Sequence, residues 1–133
     1  MKNTIFLDTG VISLYISNHE EILEEIRINK KKKYQFIASE LNYIELFNHI
    51  CREKGKINAQ IIMENLRREE VINFLPVSEK VSILAGEIKC NHWNLSLVDA
   101  VITAEALIRK VPIYTTETHL IDVGNLRIKK INF

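Results

Sequence analysis

Four acidic residues stand where a carboxylate can do chemistry. Asp8 directly follows the apolar run Ile5-Phe6-Leu7, and Glu117 directly follows Ile113-Tyr114-Thr115-Thr116. Asp99 opens a segment that is otherwise apolar (Leu97, Val98, Val101, Ile102), and Glu45 lies early in the run from Leu41 to Arg52. Carboxylates gathered from distant parts of a chain repel one another unless a divalent cation lies among them. Their hard oxygens suit Mg2+ or Mn2+, and ions held in this way activate water for phosphodiester cleavage. Each residue also has a purely structural role open to it. Asp8-Thr9-Gly10 is ordinary turn chemistry, Ser96 with Asp99 three residues on is a capping-box pattern, and Glu117 is an acid that a helix start favours. Glu45 falls roughly opposite the apolar arc of Tyr43, Leu46, Phe47 and Ile50, where a solvated face is expected.

Patterning indicates the elements that position these groups. Ile5 to Leu7 reads as a strand, and Leu14 to Ile28 as a helix, with Ser17 and Asn18 available as caps and Ile22 and Ile26 at helical spacing. Lys30 to Lys33 ends that helix and is expected to be solvated. Tyr34 to Ala38 is a second strand, followed by helices over Leu41 to Arg52 and Ala59 to Arg68, and Val71 to Leu75 is a third strand. Ser78 caps a helix whose stripe Val81, Leu84, Ala85, Ile88 is strongly amphipathic. Ser96 starts a helix apolar on nearly every side, expected to be largely buried. Ile113 to Thr115 and Leu126 to Ile131 complete the strands. Alternating strands and helices imply right-handed crossovers and an α/β fold of three layers, α/β/α, around a parallel sheet of four to five strands. In such a sheet, functional groups gather beyond the carboxyl ends of the strands, where Asp8 and Glu117 stand.

Four motifs in order resemble those of the PIN-domain family. Ile5-Phe6-Leu7-Asp8-Thr9 is similar to the opening strand with its first acid, and Ser39 with Glu45-Leu46 six positions later to the second motif. Leu95-Ser96-Leu97-Val98-Asp99-Ala100-Val101-Ile102, with Ala104 beyond, resembles the third and is the most specific. Pro112-Ile113-Tyr114-Thr115-Thr116-Glu117-Thr118-His119-Leu120 resembles the fourth, where the family usually has Asp in place of Glu117 and often a second Asp in place of His119. The resemblance spans the chain and implies a Rossmann-like PIN fold and an Mg2+- or Mn2+-dependent ribonuclease of the VapC toxin type. Asp8, Glu45, Asp99 and Glu117 are its expected catalytic residues. Asp8, Asp99 and Glu117 are the expected ligands, with Glu45 joining them through water. Thr9, Ser39, Thr115, Thr116 and His119 are weaker candidates for touching substrate, and a lone histidine such as His119 more often simply faces solvent. The resemblance also implies a homodimer and a cognate antitoxin protein.

The bulk composition agrees with one domain over residues 1–133. Of these residues 47% are hydrophobic and 26% charged, with 18 basic against 17 acidic. A net charge of +1 means that any nucleic acid is held by a local patch and not by a basic body. Lys30 to Lys33, and Arg127 with Lys129 and Lys130, could touch phosphates, but solvated and edge-strand roles explain them as well. Cys51 and Cys90 lack metal-ligand spacing and read as small buried thiols, and Trp93 as a core-closing aromatic. The N-terminus resembles neither a signal peptide nor a membrane span, so a cytoplasmic location is expected. A dehalogenase-type phosphatase needs a second Asp where Gly10 stands, and a dinucleotide-binding fold needs a glycine-rich turn that four scattered glycines do not make. A receiver domain needs an acceptor Asp where Pro76-Val77-Ser78 follows the third strand. The remaining alternative is a PIN fold that binds RNA or protein without cutting, which would have no need of the set Asp8, Glu45, Asp99.

Overall fold

The computed structural model describes residues 3–116 and 127–131, so Glu117, His119 and the start of the last expected strand lie outside the described residues. In chain order the elements are β1 (Thr4–Leu7), α1 (Thr9–Ile16), α2 (Glu20–Lys31), β2 (Gln35–Ser39), α3 (Glu40–Lys54) and α4 (Lys56–Glu69). These are followed by β3 (Ile72–Leu75), α5 (Glu79–Asn91), α6 (Leu97–Arg109), β4 (Ile113–Thr115) and β5 (Ile128–Lys130). The strands form one parallel sheet in the order β3-β2-β1-β4-β5.

Strand periodicity explains the layering, because successive side chains leave opposite faces. Ile5 and Leu7 enter a core with Phe36, Ala38, Ile72 and Phe74, covered by Val11 and Ile12 of α1, Ile22 of α2, Leu46 of α3 and Met63 of α4. Phe6, Ile37 and Ile113 point the other way, onto Ile102 and Ala106 of α6. The expected stripe of α5 is buried at Val81, Ala85 and Ile88, against Ala100, Val101 and Ala104 of α6. Helices α1 to α4 therefore cover one face and α5 with α6 the other. Burying a large aliphatic side chain of this kind contributes roughly 1.5–3 kcal/mol. Between α3 and α4, Arg67 donates to both carboxylate oxygens of Glu40 (2.9 and 2.6 Å) and lies 3.9 Å over the Tyr43 ring.

Several sequence expectations are corrected. The helix expected over Leu14 to Ile28 is two helices, α1 and α2, broken at Ser17–His19 where Asn18 takes a left-handed φ of 60°. Ser17 is the last, capping residue of α1, and α2 starts from His19 without a side-chain cap. Trp93 is 86% exposed and closes no core, Leu97 is exposed at the start of the buried helix, and Cys90 is exposed while Cys51 is half-buried. The Lys30–Lys33 run is solvated, as expected.

β1 lies between strands reached in opposite directions. The chain moves from β1 to β2 and β3 on one side, then crosses the other face to place β4 on the far side of β1. Ligand crevices in open parallel sheets form at such a reversal, beyond the carboxyl ends of the strands. Here that point is the gap after Leu7 and Thr115.

Candidate active site

Asp8 occupies the reversal point. The β1–β4 register pairs Leu7 with Tyr114, so Asp8 arrives beside Thr115, whose hydroxyl donates to its Oδ2 at 2.6 Å. Its Oδ1 accepts the Thr9 backbone N–H at 2.7 Å, which makes Asp8 the N-cap of α1. The carboxylate is only 3% exposed. The capping role and the placement at the strand end thus coincide in one residue.

Next to it, β2 runs straight into α3, capped by Ser39, whose Oγ accepts from the Leu41 N–H at 3.1 Å. Asn42, fully buried, closes the capping box by accepting the Ser39 N–H at 2.8 Å. Its amide nitrogen then donates to the Thr9 hydroxyl at 2.9 Å. One buried side chain therefore ties the first turn of α3 to the first turn of α1. On the same stripe of α3, at i, i+3, i+4 and i+7, follow Glu45, Leu46 and His49, all lining the cleft.

The third contribution comes from α6. Ser96 caps it by accepting the Asp99 N–H at 3.0 Å, and Asp99 returns an acceptor to the Ser96 N–H at 3.4 Å. The capping box expected from the sequence is present, and Asp99 faces the cleft from within it. Lys89 of α5 donates to the Leu95 carbonyl at 2.7 Å, fixing the loop that delivers Ser96. Opposite, a Cβ on Gly10 would stand 2.2 Å from Thr116 Oγ1, so the absence of a side chain lets α1 pack closely against the chain leaving β4.

The result is an open cleft of about 390 Å³ lined by Asp8, Glu45 and Asp99 together with Thr9, Ser13, His49 and Ser96. Of the residues named from sequence, Thr9 lines it, while Ser39 and Thr115 are buried beneath it as hydrogen-bonding supports. Glu117 and His119 lie outside the described residues. The apolar periodicity of α3 concealed Asn42, and His49 reads from sequence as solvent-facing; their spacing from Glu45 was the signal. Among the described residues no three His, Cys, Asp or Glu side chains are close enough together to form a metal-ligand group. The carboxylates share the cleft without forming a complete coordination sphere. Their chemistry fits a hard cation nonetheless, because Mg2+ commonly takes one or two carboxylates and completes its octahedron with water.

Known folds agree with this architecture. A chain of the VapBC2 structure from Rickettsia felis, solved with a promoter DNA fragment, superposes with a TM-score of 0.82 at 16% identity, covering 97% of this chain and 99% of that one. The DNA-bound VapBC structure from Salmonella typhimurium gives 0.80 at 18%, with 98% of each chain covered. VapC20 of Mycobacterium tuberculosis, described as a Sarcin-Ricin loop cleaving toxin, gives 0.66 at 18%, covering 86% and 88%. At these identities the likeness is one of fold. No curated protein sequence matches the chain significantly. The family model for the PIN domain, however, matches residues 5–126, from the first residues of β1 to just short of β5. With the parallel sheet, the reversal point and that match together, the chain belongs to the PIN-domain family.

Proposed function

We propose that this protein is a divalent-metal-dependent endoribonuclease acting as the toxin of a toxin–antitoxin pair. One observation carries the reading: Asp8 of the β1 end, Glu45 of α3 and Asp99 of α6 line a single cleft at the reversal point of the sheet. VapC20, which shares the fold, is described as cleaving the Sarcin-Ricin loop, which supports RNA as the substrate class.

In this reading Asp8 and Asp99 hold an Mg2+ or Mn2+ ion and Glu117 completes the set. When bound, such an ion supplies Lewis acidity, both for the phosphate oxygens and for the attacking water. The chain's own part is positioning. Thr115 and the Thr9 N–H fix the Asp8 carboxylate, the Ser96 box fixes Asp99, and Glu45 orients the water across the cleft and accepts its proton. Phosphodiester hydrolysis then places that hydroxyl on phosphorus and releases the leaving oxygen with a proton.

The partners proposed are a second copy of the chain and an antitoxin; the VapBC complexes that share the fold support the antitoxin. Exposed apolar side chains support a partnered state: Ile44, Ile57 and Ile61 on α3 and α4, and Ile83, Trp93 and Leu97 around α5 and α6. The same reading sets the work in the cytoplasm; both cysteines are free, and no helix among the described residues is long and apolar enough to cross a membrane. The test is cleavage of structured RNA with Mg2+ or Mn2+ and with EDTA. Wild type should cut only with the ion, and Asp8→Asn or Asp99→Asn should lower the rate by roughly a hundredfold or more. Undiminished cutting by either variant would falsify the assignment.

A further inference from the structure

The cleft continues past the acids, and its chemistry changes there. One helical turn, about 6 Å of axis, separates Thr9 from Ser13 on α1 and Glu45 from His49 on α3. Both helices begin at the carboxyl ends of adjacent parallel strands, so both lead away from the same sheet edge, packed together. Ser13, the fifth residue of α1, consequently stands about level with Glu45, the sixth of α3, and His49 lies one turn further along, while both line the cleft. His49 is the single side chain among its described lining residues that can carry positive charge. Its Nε2 is 3.5 Å from Glu53, but both side chains are more than half exposed, so this pair does little to anchor it.

We propose that Ser13 and His49 hold successive phosphates of the RNA backbone, Ser13 level with the acids and His49 one nucleotide away from the bond being cut. The proposal rests on the ribonuclease reading of this cleft. A polyanion passing over three carboxylates meets repulsion, and protein donors beside them must offset it. A hydroxyl beside the acids and an imidazole one turn further along the packed helix offer two such donors, with an offset comparable to the step between successive phosphates on a single strand. Contacts of this kind set the register of the backbone and carry no sequence information.

The experiment is fluorescence anisotropy with labelled single-stranded RNA oligonucleotides of several sequences, bound to the whole protein in EDTA so that nothing is cut. Ser13→Ala and His49→Ala should each weaken binding about three- to tenfold, to the same degree for every sequence. His49→Lys should stay near wild type. With metal present, His49→Ala should raise KM by a similar factor while kcat holds, the mark of binding lost equally in ground and transition states. Melting temperature and Mn2+ affinity, read by calorimetry, should not move. Unchanged RNA affinity in both alanine variants overturns the subsite, as does a fall in kcat at constant KM, which would put His49 in the chemistry itself. Wild-type protein that binds no RNA overturns it too. Wild-type protein that binds RNA but never cuts it overturns the nuclease reading alone.

Discussion

At the β1–β4 end of the cleft, Asp8 is 3% exposed and bonded to Thr115, 107 residues away. At the α6 end, Asp99 is half-buried and bonded to Ser96, three residues away. Both carboxylates thus cap a helix, and Asp8 is tied in addition to a distant strand through Thr115. Buried hydrogen bonds to a charged group are worth more, and leave more behind when one partner is removed, than a surface cap does. The first end couples its carboxylate to the pairing of distant strands, while the Ser96 cap of the second is a local contact.

The largest effect is expected at Asn42. Asn42→Ala removes two hydrogen bonds from a fully buried position and leaves the Ser39 N–H without its acceptor. Urea unfolding should show a loss of about 2–4 kcal/mol, along with weaker Mn2+ binding as α1 and α3 lose their common tie. Thr115→Val comes next, because it withdraws the buried donor from Asp8; about 1.5–3 kcal/mol is expected. A loss for Thr115→Val no larger than that for Ser96→Ala would break the comparison. Ser96→Ala should itself cost about 1 kcal/mol, the usual worth of an N-cap, and slow cleavage through looser placement of Asp99. Smallest of all is Asp99→Asn without metal. The amide keeps an acceptor toward Ser96, so melting in EDTA should stay within about 0.5 kcal/mol of wild type even though activity is gone. A large destabilisation there would mean that Asp99 is structural first.

The sheet was legible because its strands are short apolar runs with little else in them, and the alternation that fills two cores is visible in Ile5-Phe6-Leu7. Helix α1 was not. Asp8-Thr9-Gly10 satisfies turn chemistry as well as a helix start, and glycine lowers helix propensity where α1 begins. The break between α1 and α2 was equally hidden, since Ser17-Asn18-His19 leaves the apolar period on either side intact. Within the site, Asp8 and Asp99 could be named from their neighbours. Glu45 could not be placed by periodicity, because it is exposed and lines the cleft from a solvated face. Asn42 was hidden because the apolar arc that dominates α3 lies elsewhere, and His49, which shares no spacing with the other histidines, reads from sequence as solvent-facing. Trp93 misled, because size alone does not decide burial.

The hydrogen bond between Thr115 and Asp8 also has a consequence for the order in which the protein is made. β1 and α1 leave the ribosome before the other elements, with Asp8 already able to cap its helix, and the pairs β1–β2 and β2–β3 follow as each crossover is completed. β4 follows β1 by more than a hundred residues, and until it slots in beside β1 Asp8 lacks the hydroxyl of Thr115. The closing contact spans 107 residues, the kind of distant pairing whose loop-closure entropy makes it slow. A chain synthesised only as far as α6 is therefore a scaffold without a finished cleft, which the pairing of β4 with β1 completes in one step.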